Sequence, residues 1–114
     1  MQVFPVFAVA NLEKALVFYC EKLGFEKVWS FGEPAHRAGV VKDCIEIHLD
    51  AQDAGAPPGP SVVYCHMDDA AAYYRDLQSR GLTFALDLED RPWGMRDFRI
   101  EDPFGNRLGF ASKI

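Results

Sequence analysis

Two residues that can carry protons or hold polar groups, Glu46 and His48, lie two positions apart in segment 44–49. Side chains two positions apart on a β-strand share a face. Glu46 and His48 are therefore predicted on one face, and the apolar residues that alternate with them on the other. A carboxylate beside an imidazole can anchor a polar ligand group, but the two can equally hydrogen-bond with each other at a sheet end. The sequence leaves both interpretations open.

Aromatic side chains supply a second candidate surface. Trp29 and Phe31 alternate along a predicted strand, with Phe25 on the same alternation. Such a stripe packs into a core or, on an uncovered sheet face, forms an aromatic wall for a ligand. Trp93 follows a proline and precedes a glycine in a predicted loop, where a large aromatic side chain has no evident packing partner. Trp93 is therefore a candidate ligand contact.

Three further candidates are less defined by their surroundings. On a later predicted strand Arg96 and Phe98 share one face, whereas Asp97 and Arg99 share the other. Spacing alone does not say which face is buried. His36 lies at the entrance to another predicted strand, where it is either a solvent-exposed histidine or a ligand contact. The sequence contains no nucleophile–His–acid pattern and no phosphate-binding glycine loop, so no catalytic residue is assigned.

The elements that must position these residues occur twice. A predicted helix N-cap, Asn11, and a helix stop, Gly24, return 57 positions later as Asp68 and Gly81, with Asp69 as an alternative cap. Each helix follows one short apolar strand and precedes three others. The strands are predicted at 3–9, 25–31, 36–41 and 44–49, then at 61–67, 83–88, 95–100 and 107–111. The chain is therefore predicted to be α+β.

The pattern predicts a single domain, 1–114, made of two βαβββ modules. These modules, at about 1–51 and 60–114, are joined by the Pro/Gly-rich segment 52–60. Two such modules can form a curved, mostly antiparallel sheet with a cleft, and a cleft is where a ligand is expected.

Composition excludes several classes of partner. The chain has 114 residues, a formal charge of −5 and scattered basic residues, so neither nucleic acid nor an anionic membrane is an expected partner. It has no apolar run approaching the ~20 residues of a membrane helix, and no signal-peptide pattern. Three widely spaced cysteines argue against a disulfide framework or a zinc site, and are expected to be reduced and buried. We expect a cytoplasmic protein.

Several short motifs in order resemble the vicinal oxygen chelate superfamily, in its glyoxalase and bleomycin-resistance branch. They are Asn11-Leu12-Glu13, Phe18-Tyr19, Leu23-Gly24-Phe25, Trp93-Gly94 and Asp102-Pro103-Phe104-Gly105-Asn106. The resemblance implies the paired-module fold over nearly the whole chain. It says less about activity, because this superfamily places isomerases, dioxygenases, thiol transferases and drug-binding proteins on one scaffold.

Enzymes similar to this chain hold a divalent metal with side chains from the first and last strands of each module. At those positions this sequence has Phe4, Ser61 and Gly109, and only Glu46 keeps a competent donor. One carboxylate with a weak serine hydroxyl is too few ligands for such an ion. The resemblance therefore predicts no metal and no cofactor, with a rearranged site that recruits His36 or His48 as the alternative.

The resemblance implies a metal-independent, homodimeric binding protein that sequesters an aromatic or cationic drug such as an antibiotic. The predicted ligand contacts are Trp29, Phe31, His36, Glu46, His48, Trp93, Arg96 and Phe98. One alternative is a glyoxalase-type lyase or isomerase, or a dioxygenase, with an altered metal site. Another is a small accessory protein that shields an intermediate.

Overall fold

The computed structural model describes residues 1–51 and 58–114, so most of the predicted linker lies outside the described residues. The strands are β1 (Val6–Ala8), β2 (Glu26–Phe31), β3 (Arg37–Lys42), β4 (Ile45–Asp50), β5 (Val62–His66), β6 (Leu86–Asp90), β7 (Met95–Glu101) and β8 (Arg107–Lys113). Helix α1 (Leu12–Leu16) continues as a π-helix (Val17–Lys22), and α2 spans Ala70–Ser79. The predicted α+β class and the repeated βαβββ order are confirmed.

Two four-stranded sheets carry the fold, in the orders β1-β4-β3-β2 and β5-β8-β7-β6. In each, the first and last strands of the module are parallel neighbours and the remaining pairs are antiparallel. The helix between the first two strands carries the chain from one edge of the sheet to the other, and the last strand then pairs beside the first. Each module is thus one mixed sheet with a helix on one face.

The helix ends follow the predicted capping residues. Asn11 Oδ1 accepts a hydrogen bond from the Lys14 amide, and Asp69 Oδ1 accepts one from the Ala72 amide. Asp69, rather than Asp68, is therefore the second N-cap. Gly24 and Gly81 have φ of 82° and 81°, a left-handed conformation that favours glycine after a helix.

The core of each module lies between its helix and one sheet face. In the first, Tyr19 contacts Phe7 and Phe25 with ring centroids 6.5 and 5.9 Å apart. In the second, Tyr73 packs edge-on against Phe110 at 5.0 Å. The opposite face of each sheet, pointing away from its own helix, is called its far face below.

The chain divides into two compact units whose boundary differs from the predicted modules. The first comprises 1–61 together with 102–106, and the second 62–101 with 107–114. Asp102, only 4 % exposed, accepts hydrogen bonds from the Tyr19 hydroxyl and the Asn106 amide, and Asn106 also donates to the Ala8 carbonyl. Hydrogen bonds to buried polar groups therefore attach this β7–β8 turn to the first unit.

A β-bulge corrects the predicted alternation of aromatic residues. The β2–β3 pairing shifts between Lys27 and Trp29, so that one residue of β2 is extra at this point. Phe25 consequently lies in the helix-side core, whereas Trp29 lies on the far face with Phe31. The predicted shared face is wrong for Phe25.

The cysteines are free, as predicted, but not uniformly buried. Cys65 is buried and Cys20 half-buried, whereas Cys44 is exposed next to the β3–β4 turn, so the burial prediction is wrong for Cys44. Burial is the largest cause of the raised pKa of the Cys20 thiol.

In residues 1–51 and 58–114, no helix is long and apolar enough to cross a membrane.

Candidate functional site

The far face of the first sheet is built around Trp29. Strand pairing places Trp29 beside Gly39 on β3, and Gly39 beside His48 on β4, in one row across the sheet. A Cβ atom added to Gly39 would collide with the Trp29 indole. Glycine at position 39 therefore lets the indole lie close against the backbone of the neighbouring strand.

His48 joins the aromatic and acidic residues on this face. Its ring stacks on Phe4 at 4.8 Å, meets the Trp29 ring edge-on at 4.9 Å, and lies 2.7 Å from Glu46 Oε2 through Nε2. We call Phe4, Trp29, Glu46 and His48 the His48 cluster. Glu46 and His48 therefore share a face, as predicted, and hydrogen-bond with each other. The interpretation as a ligand anchor stays a prediction, because Glu46 keeps further acceptor capacity.

Phe31 and His36 lie at one edge of the same sheet. The Phe31 side chain is 66 % exposed, and the His36 ring approaches it edge-on at 5.8 Å. The His36 imidazole packs over Gly32, where a Cβ atom would collide with it. Beside them Arg37 Nε lies 3.7 Å from Asp50 Oδ2. The structure therefore brings five predicted contact residues to one unit: Trp29, Phe31, His36, Glu46 and His48.

In the second unit Trp93 ends a chain of hydrogen bonds. The indole N–H of Trp93 donates to the Tyr64 hydroxyl at 3.3 Å, and that hydroxyl donates to Asp97 Oδ2 at 2.7 Å. Arg91 Nε in turn donates to Asp97 Oδ1 at 2.7 Å. We call these four residues the Tyr64 chain.

Electrostatics in the Tyr64 chain favour a neutral phenol beside an ion pair. Desolvation is the largest cause of the raised pKa of Tyr64, and the Asp97 carboxylate raises it further. The hydrogen bond to Asp97 also raises the pKa of Arg91. Tyr64 therefore remains a hydrogen-bond donor to Asp97 at neutral pH.

Two predicted contacts, Arg96 and Phe98, lie on the helix side of the second sheet. Phe98 is 1 % exposed and packs among aromatic rings that include Tyr73 and Phe110. Arg96 holds Asp90 through two hydrogen bonds of 2.7 and 3.2 Å, and this contact lowers the pKa of Asp90. The contact prediction is wrong for Phe98, because core packing occupies its ring. Arg96 shares that face and its guanidinium holds a carboxylate, so its ligand contact stays a prediction that the ion pair does not favour.

Several residues whose role depends on tertiary contacts were not predicted from the sequence. Asp97 and Tyr64 are central to the second unit's far face, and Phe4 stacks on His48 rather than marking only a lost metal ligand. One available signal was Gly109, which pairs with Tyr64 across β5 and β8. A Cβ atom there would lie 2.9 Å from Tyr64 Cδ1, so the glycine accommodates the ring.

The residues at the expected metal positions do not fit a divalent ion. Phe4 offers only a ring stacked on His48, Gly109 has no side chain, and the Glu46 carboxylate is engaged by His48. Among residues 1–51 and 58–114, no three His, Cys, Asp or Glu side chains are grouped as a metal would require. The side chains at these positions therefore do not complete the coordination shell of a divalent metal.

Comparison with known proteins identifies the family of this chain. The model of the glyoxalase/bleomycin resistance protein/dioxygenase superfamily matches residues 3–110. The chain is 27 % identical to a bleomycin resistance protein of Geobacillus stearothermophilus over 135 residues, covering 100 % of this chain and 98 % of the relative. A bleomycin resistance protein of Staphylococcus aureus matches to the same extent.

Solved structures agree with this fold. A superfamily member from Sphaerobacter thermophilus is 28 % identical with a TM-score of 0.78, covering 99 % of this chain and 98 % of that one. A bleomycin-binding protein complexed with bleomycin is 20 % identical with a TM-score of 0.81, covering 100 % and 99 %. At that identity the likeness shows the fold alone. With the family model matched over nearly all of its length, the chain belongs to the glyoxalase/bleomycin resistance protein/dioxygenase superfamily.

Proposed function

We propose that this protein is a metal-independent binding protein that sequesters a cationic, aromatic drug of the bleomycin type. The observation that carries the proposal is the His48 cluster, in which an indole, a phenyl ring and an imidazole pack together beside a carboxylate. Aromatic rings offer large contact areas at low entropic cost, and a carboxylate selects a cation. Full-length similarity to bleomycin resistance proteins supports the same ligand class.

The geometry of Trp29 favours binding because the ring is held in place before a ligand arrives. Gly39 lies beneath its indole and His48 against its edge. A ring that is already ordered loses little conformational freedom when a planar ligand stacks on it. The exposed Phe31 side chain extends the aromatic surface along the same strand.

Charge on the first far face also favours a cation. Among the residues that the structure describes, strand pairing places three carboxylates there, those of Glu26, Glu46 and Asp50, and one guanidinium, that of Arg37. This excess of negative charge attracts cationic groups and excludes anionic ones. In the second unit, the exposed Trp93 is proposed as a further stacking surface.

The two tryptophans, one in each unit, allow a direct test. Trp93→Phe leaves Trp29 as the sole indole reporter, and Trp29→Phe leaves Trp93. Titration with metal-free bleomycin should quench each remaining indole saturably, whereas free N-acetyltryptophanamide should be quenched without saturation. Absence of saturable quenching in both variants and in the parent protein contradicts the proposal. Saturable quenching in one variant alone assigns binding to that unit.

We also propose that the protein is a homodimer in the cytoplasm. Apolar side chains, including Val6, Val28 and Phe31, are about half exposed or more in the single chain, and a partner subunit would cover part of this surface. Three free cysteines are compatible with a reducing compartment. Light scattering at micromolar concentration should give twice the chain mass, and a monomer mass contradicts the dimer.

A further inference from the structure

We propose that Asp97 is a positioning residue, which fixes the Trp93 indole for ligand contact through the Tyr64 hydroxyl. The inference rests on the proposed function, because it assumes that Trp93 touches the ligand. Asp97 does not reach Trp93 directly. Its contact with Tyr64 is 2.7 Å, and Tyr64 in turn lies 3.3 Å from the indole nitrogen.

A tryptophan in an exposed loop needs a contact that fixes the orientation of its ring. Trp93 is 64 % exposed, so few neighbouring atoms restrict its rotation. Its hydrogen bond to Tyr64 gives the indole one preferred orientation. An exposed aromatic ring that is already oriented binds more tightly than one that must be ordered by its ligand.

The direction of the hydrogen bonds explains why an acid is needed. A tyrosine hydroxyl has a single proton and can donate it only once. Because the hydroxyl uses that proton in its hydrogen bond to Asp97, its oxygen lone pairs remain to accept a hydrogen bond from the indole N–H. Without the carboxylate, the hydroxyl is free to rotate and to donate elsewhere, and the Trp93 contact loses its fixed acceptor.

Asp97 is itself held firmly. It is 5 % exposed, and Arg91 Nε donates to its second carboxylate oxygen. Arg91 also donates to Glu89 and to the backbone carbonyl of Asp87, so its guanidinium has little freedom. The charge-assisted bonds therefore connect the loop tryptophan to a fixed point on the sheet.

The Tyr64 ring is fixed by its own neighbours. It lies over Gly109, and His66 meets it edge-on at 5.6 Å. These ring contacts do not involve the hydroxyl. Tyr64→Phe therefore breaks the link between Asp97 and Trp93 while it leaves the ring and the Asp97–Arg91 ion pair in place.

The experiment uses the full chain with Trp29→Phe, so that Trp93 alone emits. Tyr64→Phe should lower Trp93 fluorescence anisotropy and increase acrylamide quenching, with little change in the melting temperature. Affinity for metal-free bleomycin should fall about three- to tenfold, the range expected for one lost hydrogen bond. Asp97→Ala, which removes the acceptor altogether, should alter Trp93 in the same direction, and parental anisotropy in a folded Asp97→Ala protein, checked by circular dichroism, would overturn the positioning role.

A matched control is available in the same unit. The Tyr74 hydroxyl donates to Asp87 Oδ1 at 3.1 Å, so Tyr74→Phe removes a second tyrosine–aspartate bond that does not involve Trp93. It should leave anisotropy and affinity unchanged.

The outcomes separate this inference from the proposed function. If Tyr64→Phe leaves Trp93 anisotropy and drug affinity at parental values, the positioning role is wrong even though drug binding persists. If anisotropy falls but the parent protein binds no drug, the hydrogen-bond chain orients Trp93 and the proposed function is wrong. Equal effects of Tyr74→Phe and Tyr64→Phe would also overturn the positioning role.

Discussion

The far faces of the two sheets use the same device for different purposes. Each places a large ring over a glycine in a neighbouring strand, Trp29 over Gly39 and Tyr64 over Gly109. The first ring is itself the candidate contact. The second ring, that of Tyr64, connects other residues, because its hydroxyl accepts a hydrogen bond from the Trp93 indole. The two rings lie on strands that are not equivalent in the repeat, Trp29 on β2 and Tyr64 on β5, so the shared arrangement does not follow from the repetition of the fold.

Charge separates the two faces as well. Among the described residues, the first has three carboxylates against one guanidinium, and its Glu46 pairs with a histidine. In the second, Asp97 is neutralised by Arg91. Arg99 shares that face, and within the described part of the chain its guanidinium forms no ion pair. A cationic ligand is therefore expected to be attracted by the first face, whereas the second offers an oriented ring without surplus negative charge.

The largest effect is expected when the glycine beneath the first ring is replaced. Gly39→Ala would place a methyl group inside the Trp29 indole, so Trp29 must move. The methyl group of Gly109→Ala would lie 2.9 Å from Tyr64 Cδ1, which is a smaller overlap. We expect Gly39→Ala to cost about 1–3 kcal/mol in the free energy of unfolding, the usual range for overpacking, and Gly109→Ala less. Urea denaturation measures both.

A double variant provides the control for this prediction. Trp29→Ala removes the colliding ring, so adding Gly39→Ala to it should cost little further stability. If Gly39→Ala is as destabilising in that background as in the parent, the cost comes from the glycine backbone and not from the ring.

The next effect is expected from the charge on the first face. Glu46→Gln keeps the shape of the side chain but removes its charge, so we expect metal-free bleomycin to bind more weakly by about 1 kcal/mol at low salt. The loss should shrink as salt is added, because ions screen the attraction. Calorimetric titration at two salt concentrations measures both features. Glu13→Gln on helix α1, with the same change in net charge, is the control and should bind as the parent does.

How far these roles follow from the sequence depends on the kind of interaction. The Asn11 cap is local, and its residue type and spacing suffice to predict the helix start. Alternation also placed Glu46 and His48 on one face. It failed at Phe25, because a bulge inserts a residue, and no residue type in β2 marks the bulge.

The Tyr64 chain could not be predicted from spacing. Tyr64 and Asp97 are 33 positions apart and meet only after β8 pairs between β5 and β7. Likewise, whether Phe98 or Asp97 faces the helix depends on how α2 packs on the sheet. The sequence limited the choice to two faces, and tertiary packing decided between them.

A smaller effect, confined to the second unit, is expected at alkaline pH. Because the pKa of Tyr64 is raised above the ordinary value of about 10, the folded protein holds this proton at a pH where the unfolded chain has lost it. Its contribution to stability is therefore complete below pH ~10 and is lost as pH rises through the raised pKa. Absorbance titration of phenolate should show a late-ionising group that Tyr64→Phe removes.

Tyr74 complicates this titration and also controls it. Its pKa is raised too, by desolvation and by its bond to Asp87. Tyr74→Phe should remove a different late-ionising group and leave the ionisation of Tyr64 in place. If Tyr64→Phe leaves the titration curve unchanged, the phenol is not held neutral by its surroundings.

Metals are expected to have no effect, which is the smallest outcome considered. The test concerns both far faces and the metal-dependent chemistry of the family. The first unit retains a single suitable ligand, Glu46, which is engaged by His48, and the second has Gly109 where a carboxylate would be needed. Elemental analysis of dialysed protein should find far less than one Zn, Ni, Mn or Fe per chain. Pre-treatment of the protein with EDTA, followed by its removal, should leave the binding of metal-free bleomycin unchanged. Retention of one equivalent of metal that Glu46→Gln abolishes would contradict this expectation and favour a rearranged metal site around His48.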